Sequence, residues 1–163
     1  ISEGLVGSEM CIRDRIIHCI SLPEGSYEGS NVEDFFLNKL SISDHNSFDE
    51  IKDLKVSSHL YIKRNGELVQ FVPFNKRAWH AGESTYKGVS DCNNYSIGIE
   101  LEGTDDDFYS ADQYDTLIEA TKCIIKNYPL INKDSIVGHS DVSPGRKTDP
   151  GSKIDWSRFL EAI

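Results

Sequence analysis

The feature that most restricts how this chain can fold is a short apolar strand that ends in a histidine. Residues 136–138 read Ile-Val-Gly and are followed by His139 and by a loop that contains two prolines. The loop returns Asp149 ten positions after the histidine, with Lys147 two residues before the aspartate. Histidine and aspartate are both zinc ligands, and here they share one loop with a cation. The sequence therefore predicts a metal-binding loop at the end of a strand.

A second histidine at a strand end would complete a site of the catalytic kind. His18 follows the run Arg15-Ile16-Ile17 and is the candidate. If the two strands lie side by side, His18, His139 and Asp149 supply three protein ligands and leave one position open for water. A bound zinc ion lowers the pKa of water and polarises a carbonyl group. On spacing alone, structural histidines are the commoner alternative.

Length and charge restrict the classes of partner. A chain of 163 residues is most simply one domain. Its 17 basic and 27 acidic residues give a formal charge of −10, which argues against nucleic acid or an anionic membrane as the main partner. The sequence also lacks the run of about 18 apolar residues that a membrane-spanning helix needs. We expect a monomer whose main partner is neither nucleic acid nor a membrane.

The cysteines and the first fifteen residues bear on location. None of the cysteines has CxxC spacing, so we expect free thiols in a reducing compartment, with a disulfide as the alternative. Residues 1–15 do not have the pattern of a signal peptide, and the cytoplasm is the default expectation. These residues show neither helical nor strand periodicity, and they resemble a translated adapter sequence. We therefore predict a non-native segment at 1–15 and one domain at 16–163.

Hydrophobic periodicity predicts strands interleaved with helices, and so an α/β domain with a central mixed sheet flanked by helices. Asn65-Gly66 between two alternating runs indicates a hairpin. In the strand Tyr95–Leu101, Glu100 lies on the polar face. The predicted helices begin at Asn31, at Ser43, at Ser110 and at Asp155, and the predicted strands are 16–19, 56–62, 67–72, 95–101 and 135–139.

Several residues are candidates for chemistry, each with a structural alternative. Glu100 could take a proton from the attacking water, or be a solvated strand-edge residue. Lys147 could stabilise an oxyanion, or be a mobile surface lysine. Trp79 and His80 would end a strand and could stack on a sugar or hold a peptide, although a packed tryptophan is equally consistent. His59 is another candidate, with a structural role at least as well supported.

Five segments in order resemble the AmpD-type N-acetylmuramoyl-L-alanine amidases. These are zinc hydrolases of the amidase and peptidoglycan-recognition fold, and the resemblance covers Ile16 to Phe159. The segments that carry it are 18–23 (HCISLP), 56–59 (VSSH), 72–82 (VPFNKRAWHAG), 92–105 (CNNYSIGIELEGTD) and 146–151 (RKTDPG).

The resemblance implies a role for particular residues. It places one zinc ion per chain on His18, His139 and Asp149, the catalytic glutamate at Glu100 and the oxyanion lysine at Lys147. Arg77 and Arg146 match arginines that hold carboxylates of the stem peptide, which a guanidinium recognises with paired hydrogen bonds. Trp79, His80 and Asn93 are the remaining predicted substrate contacts.

The activity implied is cleavage of the amide between the lactyl group of N-acetylmuramic acid and L-alanine. The AmpD branch acts in the cytoplasm on 1,6-anhydro-muropeptides during peptidoglycan recycling. The alternatives are a non-catalytic peptidoglycan sensor and an exported or phage wall-lytic amidase. Two positions depart from the family pattern: Cys19, a soft ligand or a packed neighbour, replaces asparagine, and Asp91 stands where an arginine is usual and would weaken binding of an anionic stem peptide.

Overall fold

The structure, a computed structural model, describes residues 11–163, which contain both strands and helices. The strands are β1 Asp14–Ile20, β2 Leu60–Ile62, β3 Leu68–Gln70, β4 Thr85–Tyr86, β5 Val89–Ser90, β6 Ser96–Glu102 and β7 Ile136–Gly138. The helices are α1 Asn31–Phe36, α2 Ala111–Asn127, α3 His139–Val142 and α4 Trp156–Glu161. None of these helices combines the length and apolarity needed to cross a lipid bilayer.

Five strands form one mixed sheet in the order β3-β2-β6-β1-β7. The strand β1 runs parallel to β6 and β7, β2 runs parallel to β6, and only β3 is antiparallel to its neighbour. The register sets His18 of β1 opposite Glu100 of β6. Because the carboxyl ends of parallel strands meet at one edge, residues at those ends converge there. The predicted mixed sheet and α/β class are confirmed.

Alternation along β6 separates the hydrophobic core from the functional face. Ile97, Ile99 and Leu101 are buried in the main core, which also contains Leu117 of α2. Ser96, Gly98 and Glu100 therefore face the other side, as the alternation predicts. The helix α2 begins with a capping box in which the Ser110 hydroxyl accepts from the Gln113 backbone N–H at 3.1 Å, which confirms the predicted cap.

The predicted hairpin is confirmed, although its strands are shorter than the alternating runs. Gly66 adopts φ +82°, which favours glycine. A Cβ there would also lie 3.0 Å from Asp112 of α2, so the turn packs closely against the helix.

Several predicted elements differ from the structure. The strand predicted to end at Trp79-His80 is wrong, since residues 71–84 contain no strand. The helix predicted from Ser43 is instead a pair of 3-10 turns. The first helix has Ser30, not Asn31, at its N-cap position and stops at Phe36, with Asn38 in the left-handed region at φ 58°. A polar, serine-rich sequence after Leu40 gives no apolar face to continue that helix.

The first strand begins two residues earlier than predicted. Asp14 and Arg15 belong to β1 and are buried, and Ile12 packs in the main core. The described residues 11–15 are thus part of the fold, contrary to their exclusion from the domain. Residues 1–10 of the predicted non-native segment lie outside the described residues, and its foreign origin stays a prediction.

Candidate active site

Three potential ligand atoms converge where β1 and β7 end. The Nδ1 atoms of His18 and His139 are 3.0 Å apart, and Oδ2 of Asp149 is 3.2 Å from the first and 3.1 Å from the second. Both histidines are buried, and Asp149 is partly buried. The structure therefore brings together the three residues predicted as metal ligands, from positions up to 131 residues apart.

This donor set fits a zinc ion. Nε2 of His139 is 3.0 Å from the carbonyl oxygen of Ala81, which can only accept, so the proton of this ring lies on Nε2 and Nδ1 keeps its lone pair. Zinc–nitrogen and zinc–oxygen bonds of about 2.0–2.2 Å place neighbouring tetrahedral ligands roughly 3.3 Å apart, close to the three distances observed. Two imidazoles and one carboxylate leave a fourth position for water or substrate.

The protonation states suit metal binding. Burial lowers the pKa of His18 to about 4, because the charged imidazolium loses its hydration, so the ring is neutral at physiological pH. Burial alone would raise the pKa of Asp149, but the adjacent His139 and His18 lower it below the usual range. The site thus offers a neutral imidazole at His18 and an ionised carboxylate at Asp149.

Backbone contacts hold the loop that carries Asp149. Its carbonyl accepts from the Ser140 backbone N–H at 3.0 Å, which ties the loop to the start of α3. Gly151 adopts φ +81°, and a Cβ there would come 2.0 Å from the carbonyl oxygen of Asp105. Tyr109 donates its hydroxyl to the Pro150 carbonyl at 2.7 Å. The carboxylate is therefore presented by a fixed loop.

Glu100 lies beside the three potential ligands and is buried. It sits opposite His18 in the parallel register and lines the same groove. Burial, reinforced by the negative charge of Asp149, raises the pKa of Glu100 well above its ordinary value, while the charge of Lys147 lowers it. A carboxylate with a raised pKa is a stronger base, and it becomes a proton donor once protonated.

Lys147 lines the groove from the loop of Asp149 and is exposed. Its charge is close enough to lower the pKa values of both His18 and Glu100. A cation in this place can stabilise negative charge that develops on a substrate near the three ligands.

The groove has a volume of about 540 Å³, within the range of small-molecule sites. The carboxylates of Glu24 and Asp105 also line it, and the sequence analysis did not single them out. The groove also has an apolar wall, which sequence spacing cannot identify because the pattern of a buried helix face is the same for core and groove. That wall consists of Leu22, Phe35, Phe36, Ile51, Leu54 and Val56.

Trp79 and the predicted arginines occupy different places. Trp79 lines the groove and is 54% exposed, so its indole is available to a ligand. The guanidinium of Arg77 stacks on this indole at 3.8 Å but is not part of the groove lining. Arg146 lines the groove, yet it donates to the carbonyls of Ala81 at 2.6 Å and Glu83 at 2.7 Å. Arg146 therefore braces the neighbouring loop with part of its donor set.

His80 lines the groove, whereas Asn93 does not. Nδ1 of His80 lies 2.9 Å from Nε2 of His18, and burial lowers the pKa of His80 well below its ordinary value, so this neutral ring stands behind a potential ligand. Asn93 is buried and outside the groove lining, and its Oδ1 accepts from the backbone N–H groups of His80 at 3.0 Å and Ala81 at 2.8 Å. The side chain of Asn93 thus holds the loop, and its contact with substrate stays a prediction.

Four further residues, the two departures from the family pattern and the two remaining histidines, lie outside the three-ligand cluster. Cys19 packs against the main core, and its thiol lies 3.4 Å from Oδ1 of Asp105, outside the three-ligand cluster. Asp91 is exposed, has φ 58°, and does not line the groove. His59 bonds the Lys76 carbonyl and the Gly98 backbone N–H, a structural role, and His45 is exposed.

Comparison with known proteins agrees with this geometry. The model of the N-acetylmuramoyl-L-alanine amidase family matches residues 16–152. The 1,6-anhydro-N-acetylmuramyl-L-alanine amidase AmpD of Haemophilus influenzae is 49% identical over 148 residues, which span 91% of this chain and 80% of that protein. AmpD of Escherichia coli K12 is 49% identical over 144 residues, or 88% of this chain and 78% of that protein.

Solved structures show the same fold. The crystal structure of a selenomethionine derivative of AmpD superposes with a TM-score of 0.91 at 45% identity, covering 93% of this chain and 84% of that one. The amidase AmiD from E. coli, in complex with the substrate anhydro-N-acetylmuramic acid-L-Ala-D-γ-Glu-L-Lys, has a TM-score of 0.69 at 27% identity, covering 99% of this chain and 61% of that one. The chain therefore belongs to the N-acetylmuramoyl-L-alanine amidase family and is an amidase of the AmpD type.

Proposed function

We propose that this protein hydrolyses the amide bond between the lactyl group of 1,6-anhydro-N-acetylmuramic acid and the L-alanine of the stem peptide. The reaction would serve peptidoglycan recycling in the cytoplasm. One Zn²⁺ ion per chain would be held by His18, His139 and Asp149. The observation that carries the proposal is the triangle of two Nδ1 atoms and one carboxylate oxygen, with sides of 3.0–3.2 Å, in a groove that also contains Glu100 and Lys147.

The substrate class follows from the relatives. AmpD of H. influenzae is named for 1,6-anhydro-N-acetylmuramyl-L-alanine, and AmiD was solved with an anhydro-muropeptide. The groove of about 540 Å³ suits part of such a molecule, and the exposed indole of Trp79 offers a flat apolar surface for a sugar face. We expect no nucleic-acid or membrane partner and a monomeric enzyme.

Glu100 would move the protons of the reaction. Its raised pKa makes the carboxylate a better base for the proton of the attacking water, while the nearby charge of Lys147 favours the ionised form that a base requires. The protonated side chain would then return the proton to the departing amino group of L-alanine. Zinc, when bound, would supply Lewis acidity that makes water nucleophilic and polarises the carbonyl.

Lys147 would stabilise the oxyanion. Water adds to the lactyl carbonyl carbon, and the carbonyl oxygen takes up negative charge before the carbon–nitrogen bond breaks. The ammonium of Lys147 lines the groove on the loop of Asp149 and can lie against this oxygen. The charge develops only as the reaction proceeds, so this contact favours the transition state over the bound substrate.

Metal content and turnover, measured on the same preparation, test the proposal. Purified protein is analysed for zinc, and an anhydro-muropeptide is incubated with and without chelator while mass spectrometry follows release of the peptide. We expect about one zinc per chain and chelator-sensitive cleavage. Intact peptidoglycan in a parallel reaction tests the alternative of a wall-lytic enzyme.

Two histidine variants make the test specific. His139→Ala should lose zinc and turnover together, because it removes one ligand of the triangle. His45→Ala is the matched control, since His45 is exposed and its ring contacts only its own turn. Zinc binding without cleavage would favour a non-catalytic sensor, and a folded protein that binds no zinc would contradict the metal assignment.

A further inference from the structure

A series of hydrogen bonds begins at Ser96, behind the three-ligand cluster. The donor and the acceptor of each bond in the series are fixed by the bond before it. The hydroxyl of Ser96 lies 2.6 Å from the carbonyl oxygen of Cys92, which can only accept. The single hydroxyl proton is therefore committed to Cys92, and Ser96 is fully buried, so no solvent competes for it. What Ser96 can still offer a neighbour is a lone pair.

That neighbour is His80. Its Nε2 lies 3.3 Å from the Ser96 oxygen, and since the hydroxyl proton points elsewhere, the imidazole must donate. A neutral ring carries one N–H, so a proton on Nε2 leaves Nδ1 as an acceptor. Because Ser96 donates to the Cys92 carbonyl, it can only accept from His80, and this fixes the tautomer of His80.

His80 in turn fixes His18. The acceptor Nδ1 of His80 is 2.9 Å from Nε2 of His18, so that nitrogen must carry the proton. The other nitrogen of His18, Nδ1, is then left with a bare lone pair, and it is the atom that lies 3.0 Å from Nδ1 of His139. Oδ2 of Asp149 also lies 3.2 Å from this nitrogen, so two imidazole nitrogens and one carboxylate oxygen direct lone pairs toward the same point, an arrangement that a bound cation stabilises.

The sheet is shaped to admit this arrangement. A Cβ added to Gly98 of β6 would lie 2.4 Å from Cγ of His80, so the ring fits there only because the strand has no side chain at that position. The rings of His18 and His80 meet edge to face with centroids 5.0 Å apart. We call the hydrogen-bonded series Cys92, Ser96, His80 and His18 the relay. It is held by packing as well as by hydrogen bonds.

We propose that His80 and Ser96 are positioning residues that fix His18 in the tautomer with its proton on Nε2, so that Nδ1 is ready for the metal before the metal arrives. This inference rests on the proposed zinc-dependent function. A partner that orients a ligating histidine typically contributes 10–100-fold in metal affinity. His80 supports zinc binding through His18 and does not itself contact the substrate.

Three variants and one control test the relay. His80→Phe keeps an aromatic ring and removes the acceptor for His18. His80→Gln restores an oxygen acceptor. Ser96→Ala leaves His80 in place but removes the acceptor that sets its tautomer. Ser58→Ala is the matched control, because Ser58 is equally buried and its hydroxyl donates to a carbonyl, that of Gly98 at 2.9 Å, away from the metal ligands.

The first readout is zinc affinity, measured by competition with a chromophoric chelator. We expect roughly a 10–100-fold loss for His80→Phe, about a tenfold loss for Ser96→Ala, and partial recovery in His80→Gln. The control should stay within about twofold of the wild type. Unchanged affinity in both His80→Phe and Ser96→Ala, or an equal loss in Ser58→Ala, would overturn the proposal.

The second readout needs neither metal nor activity. Long-range proton–nitrogen NMR correlations on histidine-labelled, metal-free protein report which nitrogen of each ring is protonated. We expect Nε2 protonation on His18 and His80, and a tautomer mixture on His18 in Ser96→Ala. Protonation of His18 on Nδ1 in the wild type would refute the relay. A wild type that binds no zinc would refute the proposed function instead, and the tautomer of His18 would still decide the relay.

Discussion

Replacing Arg15 by methionine should stabilise this protein. Arg15 is fully buried on β1, and among residues 11–163 its guanidinium bonds only the hydroxyl and the carbonyl of Thr121. Its Nε has no partner, and no carboxylate pairs with the side chain within residues 11–163. A buried charge without an ion pair normally costs stability, because hydration is lost and not replaced.

The size of the effect follows from the pKa. Burial lowers the pKa of Arg15 from its ordinary value to about 9. At about 1.4 kcal/mol for each pKa unit, holding the charge inside the fold costs roughly 5 kcal/mol. The two hydrogen bonds from a charged donor offset about 3 kcal/mol of this cost. Methionine keeps an unbranched stem, and the Thr121 hydroxyl still has the Leu117 carbonyl as its partner. The net gain should be about 2 kcal/mol, from the difference of these terms.

The assay is urea unfolding of metal-free protein, supported by thermal melts. A gain of about 2 kcal/mol corresponds to a rise in Tm of roughly 4–8 °C for a chain of this size. The pKa is lowered on folding, so the cost is at full size below about pH 9 and fades as pH rises toward the ordinary pKa of arginine. The advantage of Arg15→Met should therefore be present at pH 7 and smaller at pH 10.

Arg13→Met is the matched control. Arg13 is two residues away on the same segment, but its side chain is 41% exposed. We expect a change of less than about 1 kcal/mol. If Arg15→Met instead lowered the free energy of unfolding by more than about 1 kcal/mol, the reasoning would be refuted, and the guanidinium would have to be stabilised by a partner outside residues 11–163.

Three other variants test the catalytic groove. Glu100→Gln should lower turnover by roughly 10²–10⁴-fold, and because the raised pKa means that ionised Glu100 costs stability above its ordinary pKa, the metal-free variant should resist urea better than the wild type at pH 7. Wild-type turnover should likewise decline as pH falls through the raised pKa. Lys147→Ala should lose roughly 10²–10³-fold in kcat, with Lys153→Ala unchanged, and equal rates for both would remove the oxyanion role. Arg146→Lys should lower the free energy of unfolding by about 1–3 kcal/mol, whereas unchanged unfolding with a higher KM would assign the guanidinium to the stem peptide.

The ligand cluster could be predicted from the sequence because its two histidines lie near the ends of strands. His18 and His139 each follow a short apolar run, and parallel strands bring such positions to one edge regardless of the loops between them. Glu100 was placed by period-two alternation, which holds as long as β6 is a strand. These predictions needed local pattern and one assumption about neighbouring strands.

The residues around the ligand cluster could not be placed from the sequence in the same way. Whether His80 faces a substrate or another histidine depends on the space above Gly98, which only the packed sheet defines. Asn93 looks like any polar loop residue until its carboxamide is seen between two backbone N–H groups. Arg15 was excluded because its segment has no period, yet strand pairing with β6 and β7 overrides that local signal.

The order of strands in the sheet has a consequence for synthesis of the chain. The strand β1 carries the first ligand but pairs only with β6 and β7, which come from the second half of the sequence. The third ligand follows later still, at Asp149. A ribosome must therefore pass residue 102 before β6 is complete and His18 gains its first neighbour strand, and it must pass Asp149 before all three ligands exist. Metal capture is accordingly a late event in synthesis. Zinc added during refolding should accordingly stabilise the finished fold without accelerating its early stages.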